Sequence, residues 1–233
     1  MARLRTVDVY PYAGWADQPW DSDPVIDRVA RTATLVAGLV EQSLAGDGPE
    51  LRSSHVRFFL HVHEETGVGV DVQAEYTEGF ESASLSVPPV LAAVEPTDRA
   101  LVLLDAIHGG LVALCDHRDV DPGPIHRARQ HALDMGLVLT EVSPWKSDRR
   151  RRLQARWVGR IGPADDGFAR VFLEIRAKGA DGDGTLGTGA GRLHARPHAP
   201  YAAQLALGGG RGRRGRPPGR PESRRRRAPA RSR

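Results

Sequence analysis

The sequence has little of several features on which particular classes of protein depend. Among its 233 residues there is one cysteine, Cys115, which excludes an intramolecular disulfide and favours a reducing compartment. The longest apolar run, residues 32–40, is shorter than the roughly 20 residues that span a bilayer. The first residues, MARLRTVDVYPY, have no apolar core of the kind that a secretory signal needs. We therefore expect a cytoplasmic protein with no membrane partner.

The sequence also lacks the common enzyme motifs. There is no G-x-S-x-G, no Walker loop, no C-x-x-C pair and no H-E-x-x-H, and each of these carries a recognised chemistry. Cys115 and His108 lie on an apolar stripe of a predicted helix, so we expect a buried, unreactive thiol and a satisfied core histidine. These absences favour binding over catalysis, and we predict no cofactor.

Charge and composition divide the chain after Lys178. Residues 1–178 carry 20 Lys and Arg against 26 Asp and Glu, whereas residues 179–233 carry 13 against 3. Gly, Ala, Arg and Pro make up 40 of the last 55 residues, which contain no Val, Ile, Phe or Trp. Such a segment buries too little apolar area to offset its ordering entropy. We predict one domain over residues 1–178 and a disordered basic tail over residues 179–233.

The tail contains a four-residue segment that resembles the core motif of a known family. The residues Arg214, Gly215, Arg216 and Pro217, with basic flanks at Arg211, Arg213 and Arg220, resemble the R-G-R-P core of the AT-hook family, although Arg213 stands where that family usually has proline. The resemblance implies that both core arginines lie in a narrow A·T minor groove. Clustered cations also bind phosphate polymers by counterion release, with little sequence preference.

Helix and strand periods alternate through the first 178 residues. Ser22 and Asp23 before Pro24 predict a helix start, and Gly136 predicts a helix end. Helices are predicted over residues 24–44, 96–115 and 124–136, and strands over residues 6–10, 56–62, 70–76, 83–87, 137–143, 150–161 and 168–177. This pattern predicts an α+β domain in which an antiparallel sheet of about six strands has three helices packed on one face.

Arginines alternate with apolar residues along the predicted strand at 150–161. One side carries Arg150, Arg152, Arg156 and Arg160, and the other carries Leu153, Ala155, Trp157 and Ile161. Because arginine forks match phosphate geometry, the arginine side is a candidate nucleic-acid surface. The alternative is a solvated sheet face whose charges give solubility and protect an edge.

The register of the last predicted hairpin follows from keeping its apolar sides together. That requirement pairs Trp157 with Leu173 and Ala155 with Ile175, because a slip of one residue would bury charge. On the other side the same register pairs Arg156 with Glu174 and Arg160 with Arg170. The arginine side therefore stays cationic after pairing.

The predicted strand at 56–62 carries a second polar side with His55, Arg57, Phe59, His61 and His63. We expect it to form a hairpin with the next strand, which places His61 opposite Asp71 and Arg57 opposite Glu75. Two imidazoles on one side with carboxylates nearby also suit a metal ion, so His61 and His63 are candidate ligands.

Three functions remain open from the sequence. The leading prediction is a non-enzymatic, cytosolic interaction domain with an unknown protein partner. The second is a nucleic-acid-associated protein that uses the basic tail, and with it the arginine strand. The third is a small metal-dependent enzyme built around His61 and His63.

Overall fold

The structure is a computed structural model that describes residues 1–11, 23–44, 46–64, 67–72, 79–150 and 152–177, and the backbone of residues 187–194. The helices are α1 (Pro24–Ser43), α2 (Pro96–His117) and α3 (Gly123–Asp134). The strands are β1 (Ala2–Arg3), β2 (Thr6–Pro11), β3 (Glu50–Leu51), β4 (His55–Val62), β5 (Gly69–Val72), β6 (Glu81–Val87), β7 (Leu139–Val142), β8 (Lys146–Ser147), β9 (Leu153–Ile161), β10 (Phe168–Ala177) and β11 (Gly187–His194). The three predicted helices and the α+β class are confirmed.

The described strands form three sheets, so the predicted single antiparallel sheet is wrong. Strands β1 and β3 make a small antiparallel pair. A four-stranded sheet has the order β2-β4-β6-β5, with β2, β4 and β6 parallel and β5 antiparallel to β6. A five-stranded antiparallel sheet has the order β11-β10-β9-β7, with β8 also paired to β9.

The mixed sheet follows from how its strands are connected and from how apolar β4 is. Helix α1 joins β2 to β4, and a helical crossover returns the chain in the same direction, which gives a parallel pair. Val56, Phe58 and Leu60 of β4 are each 0% exposed, so β4 lies in the middle of the sheet. The predicted hairpin between β4 and β5 is wrong because β6 lies between them.

Helices α1 and α2 cover one face of the four-stranded sheet, and α3 packs against α1 and α2. The carboxylate of Asp23 caps α1 by accepting hydrogen bonds from the Val25 and Ile26 N–H groups at 2.8 and 3.3 Å. Helix α2 approaches the sheet most closely at Gly110, where a Cβ would lie 2.6 Å from Phe58 Cε1. Helix α2 therefore packs closely against β4 at Gly110.

Helix α2 is long and apolar enough to cross a membrane by length and composition alone. The same test is passed by the core helices of water-soluble proteins, and a single such helix is weak evidence. Its apolar residues Leu103, Leu104, Ile107, Leu111 and Leu114 are at most 1% exposed within the core. The prediction that the protein has no membrane partner stays a prediction.

The five-stranded sheet contacts the helical core at one end. Leu139 of β7 and Ile161 of β9 pack against the core cluster. The turn between β9 and β10 lies against α1, where Asp166 Oδ2 is 3.6 Å from Arg31 NH2. Strand β11 pairs with β10 and lies beyond residue 178, within the segment that composition assigns to the tail. The compact unit to which these sheets belong spans Met1–His198.

Candidate functional site

The hairpin of β9 and β10 has the register that the apolar pattern predicts. Trp157 pairs with Leu173 and Ala155 with Ile175, so Arg156 lies opposite Glu174 and Arg160 opposite Arg170. The same register places Arg176 opposite Gln154. Because directly opposed side chains share a face, one side of the sheet carries Arg156, Arg160, Arg170 and Arg176. We call this side the arginine face.

Two of the four predicted arginines do not lie on the strand, because β9 begins at Leu153 rather than at residue 150. Asp148 Oδ1 accepts hydrogen bonds from the Arg152 and Leu153 N–H groups at 2.7 and 3.1 Å. These bonds, led by that of Leu153, lower the pKa of Asp148. They hold a turn before the strand, so Arg150 and Arg152 are exposed beside the arginine face and not on it.

Aromatic rings lie against three guanidinium groups of the arginine face. The Cζ atoms of Arg156 and Arg176 are 4.6 and 4.1 Å from the Trp145 ring centre. Arg160 Cζ is 5.8 Å from the Phe172 ring centre. Such contacts contribute about 0.5–1 kcal/mol each at exposed sites. Trp145 was not predicted to lie here, and it reaches this face because β8 pairs with β9.

The charges of the arginine face are only partly neutralised. Arg156 Nε donates to Glu174 Oε2 at 2.5 Å, and Arg170 NH2 lies 2.5 Å from Asp165 Oδ1. Arg176 Nε instead donates to the Gln154 amide oxygen at 3.1 Å. Within the described residues, neither Arg160 nor Arg176 is paired with a carboxylate. Two cations of this face are therefore available to an anionic ligand.

The polar side of β4 has partners other than those predicted from a hairpin. Arg57 donates from Nε and NH2 to both oxygens of Asp8 on β2, at 2.9–3.2 Å, and this bond raises the pKa of Arg57. His55 Nε2 lies 3.1 Å from the same carboxylate. Arg57 Cζ is 4.7 Å from the Phe80 ring centre. Glu75, its predicted partner, lies outside the described residues.

His61 and His63 do come together, with ring centres 5.7 Å apart and stacked. Burial, and then the neighbouring His63, lower the pKa of His61. His61 lies opposite Ser86 of β6, and Asp71 pairs with Ser84, so the predicted pairing of His61 with Asp71 is wrong. In the described part of the chain no group of three or more His, Cys, Asp or Glu side chains is placed to hold a metal ion.

Helix α2 carries Cys115 and His108, which the sequence predicts to lie in the core. Cys115 is fully buried, and burial raises the pKa of its thiol to about 11, so it is buried as predicted and stays protonated near neutral pH. His108 is half-buried rather than in the core, and its Nε2 lies 2.9 Å from Nδ1 of His126 on α3. No pattern in the sequence indicates this histidine pair, because the two residues lie on different helices.

A groove of about 570 Å³ lies between α1 and β7, lined by Arg5, Gly38, Glu41, Gln42, Gly46, Leu139 and Glu141. Burial raises the pKa of both Glu41 and Glu141. Glu41 Oε2 accepts a hydrogen bond from the Val7 N–H at 3.3 Å. Glu41 therefore has a structural role at the beginning of β2.

The tail residues proposed to bind nucleic acid, Arg213, Arg214, Gly215, Arg216, Pro217 and Arg220, lie outside the described residues. Comparison with known proteins adds no relative: no family model, curated protein or solved structure matches the chain.

Proposed function

We propose that this protein is a non-catalytic binding module whose arginine face binds single-stranded nucleic acid. The observation that carries the proposal is the contact between guanidinium groups and aromatic rings on one sheet face, with Arg156 and Arg176 against Trp145 and Arg160 against Phe172. A surface that serves solubility alone needs charges but has no need of rings beneath them.

The chemistry of this face suits both parts of a nucleotide. Guanidinium groups bind phosphate oxygens with two parallel hydrogen bonds. Arginine planes and aromatic rings also stack with exposed bases, at about 1–3 kcal/mol per base for aromatic rings. A guanidinium already lying on a ring loses less side-chain freedom when a ligand binds, which lowers the ordering cost.

The location of the arginines on a sheet favours a single strand over a duplex. Duplex recognition places a helix or a two-stranded ribbon in a groove, whereas single strands lie across sheet surfaces with their bases splayed onto side chains. Arg170 and Arg176 mark the two ends of the arginine face on β10, six residues apart, or about 20 Å at the usual strand rise. That length accommodates several nucleotides.

The other predicted functions need features that the arginine face does not supply. A metal-dependent enzyme at His61 and His63 needs a third ligand, and the described residues place none there. An acidic protein partner would satisfy the charges of Arg160 and Arg176 and would leave the rings unused. Competition by an acidic polypeptide therefore separates nucleic acid from protein as the ligand.

The first experiment is fluorescence anisotropy with a labelled single strand of about 12 nucleotides, a length within the usual site sizes. We expect the full chain to bind near physiological salt and the double variant Arg160→Gln/Arg176→Gln to bind at least about tenfold more weakly, since two phosphate contacts are lost. The slope of log K against log salt should fall by about 1.4, at about 0.7 per contact.

Two further variants serve as controls. Arg127→Gln removes an exposed arginine of α3 whose partner is Asp47, and we expect wild-type binding. A tail variant replaces Arg213, Arg214, Arg216 and Arg220 by serine. The proposal is wrong if only the tail variant loses affinity, or if polyglutamate displaces the strand as well as unlabelled nucleic acid does.

A further inference from the structure

The side of the five-stranded sheet opposite to the arginine face is apolar, and the described residues cover it at one end only. The β9–β10 register places Ala155 beside Ile175 and Trp157 beside Leu173 on this side, and Leu153 lies two residues before Ala155. On the next strand the backbone of β11 places Gly187, Gly189 and Gly191 beside Ile175, Leu173 and Val171. We call this surface the apolar face.

Among the described residues, the helical core contacts the apolar face at one end, through Leu139 and Ile161. Beyond that end, Leu153 is 42% exposed and Leu173 is 45% exposed. The side chains of Trp157 and Ile175 are half-buried. Contiguous exposed apolar surface of about 300 Å² or more often has a functional role.

The charges at the border of the apolar face are arranged in a way that suits self-pairing. Glu141 of β7 lies beside Gly159, two residues after Trp157 along β9. Lys146 of β8 lies beside Ala155, two residues before Trp157 and along the same edge of β9. Glu141 and Lys146 therefore lie along the same edge of β9, on opposite sides of Trp157 and each two residues from it.

Two copies can pack with their apolar faces together around a two-fold axis that lies between the sheets, perpendicular to the strands and at the position of Trp157. This axis reverses the strand direction of the partner subunit relative to the first copy. It brings Glu141 of one copy to the level of Lys146 of the partner subunit, and it does so twice. We propose that the apolar face is the interface of a symmetric dimer of this chain, with these two ion pairs at its border.

The geometry of the dimer follows that of aligned sheet sandwiches. Two sheets pack about 10 Å apart, with strand directions within about 30° of each other. Side chains as long as glutamate and lysine span that gap. Each sheet has one apolar face, so the contact closes on itself and forms no chain of subunits. The two arginine faces stay on the outside, so the dimer is independent of the proposed nucleic-acid binding.

The size of the apolar face sets the expected affinity. Seven residues of β9 and four strands give an area of about 20 by 15 Å at the usual rise and spacing. This is small beside the about 800 Å² per partner of a standard stable interface. We therefore expect a dissociation constant in the micromolar range. The segment beyond His198 suits the apolar face less well than a second copy does. Its large apolar residues are Tyr201, Leu205 and Leu207, and it contains many arginines.

The experiment is sedimentation velocity on the full chain over roughly 1–100 μM, the range in which a weak interface is populated. We expect a concentration-dependent dimer whose dissociation constant rises at least about tenfold in Leu173→Lys, because a buried lysine lacks a partner there. Leu173 is surface-exposed in the single chain, and circular dichroism checks that the variant is folded. Leu101→Lys on the exposed side of α2 is the matched control and should dimerise as wild type.

Charge reversal tests the two-fold arrangement itself. Glu141→Lys and Lys146→Glu each place like charges together across the axis, and we expect each to weaken the dimer. The double variant Glu141→Lys/Lys146→Glu should restore it. A chain that stays monomeric throughout the range, a dimer indifferent to Leu173→Lys, or single reversals without effect would each overturn the proposal.

Discussion

At the residue scale, two adjacent glycines of α2 have opposite surroundings. A Cβ on Gly110 would lie 2.6 Å from Phe58 Cε1 and 2.7 Å from Val70 Cγ1, which is closer than atoms in a packed core approach. A Cβ on Gly109 would meet nothing within 4 Å. Both residues lie inside a helix, so alanine offers each the same gain in helix propensity, about 1 kcal/mol. The difference between them isolates the packing of α2 on the sheet.

We expect Gly110→Ala to lower the free energy of unfolding, because an overpacking cost of about 1–3 kcal/mol exceeds the propensity gain. Gly109→Ala should raise the free energy of unfolding by up to about 1 kcal/mol. Urea unfolding of the two variants beside wild type measures both shifts. Equal shifts in the two variants would contradict the close approach at Gly110.

At the scale of elements, a histidine pair joins α2 to α3. His108 Nε2 lies 2.9 Å from His126 Nδ1, a distance at which one ring donates and the other accepts. Burial, followed by His126 and then Arg129, lowers the pKa of His108, while Asp105 acts in the opposite sense. Arg129 itself donates to Asp105 at 2.7 and 2.9 Å. Protonation of His108 is therefore disfavoured at the contact between the two helices.

This lowered pKa predicts that acid weakens the fold. Below the unfolded value of about 6.5 the unfolded chain binds more protons than the folded chain at His108, so stability falls as the pH drops through that range. We expect that lowering the pH from about 7.5 to 5.5 reduces the thermal stability of His126→Gln less than that of wild type. Thermal unfolding at each pH measures the difference. His131→Gln changes an exposed histidine of α3 and should keep the wild-type pH dependence. If His126→Gln shows the wild-type dependence, the pair does not control it.

At the scale of the whole molecule, clusters of arginine occur in two separate parts of the sequence. One is the arginine face within the compact unit Met1–His198. The other is the arginine-rich sequence after residue 208, which contains the AT-hook-like residues 214–217. The two differ in expected ligand, because the arginine face suits splayed bases and the hook-like sequence suits a narrow A·T groove.

We therefore expect the full chain to bind an A·T-rich duplex more tightly than a G·C-rich duplex near physiological salt. A chain ending at His198, the end of the compact unit, should lose that preference and keep its affinity for a single strand. Anisotropy titrations of both proteins with both duplexes and one single strand test this. An A·T preference that persists without the tail would show that another surface reads the duplex.

Local pattern was enough to predict several elements and one register. Asp23 before Pro24 fixed the start of α1, because a carboxylate cap and a first-turn proline act within one turn of chain. The β9–β10 register was predictable because a slip of one residue would move every side chain to the other face. Arg156 opposite Glu174 and Arg160 opposite Arg170 follow from it directly.

The neighbours of β4 were not predictable in the same way. A short link after β4 suggested a hairpin, but β4 pairs with β2 and β6, which are distant or non-adjacent along the chain. Which strands meet depends on how well the apolar side of each packs under α1 and α2. Trp145 joined the arginine face for a similar reason, since β8 pairs with β9 across a loop.

The sequence by itself thus determined the three helices, the strands β2, β4, β5, β6, β7, β9 and β10, and the alternation that separates an arginine face from an apolar face, because these depend on the period of neighbouring residues. Strands β1, β3, β8 and β11 were not among the predicted ones. Only the tertiary structure decided that the strands divide among three sheets and that, among the described residues, the helical core contacts the apolar face at one end only. The three helices are enough to cover the four-stranded sheet only. The apolar faces of the two larger sheets compete for contact with these helices, and this competition settles which sheet is covered. That competition involves the whole chain, so no local pattern reports it.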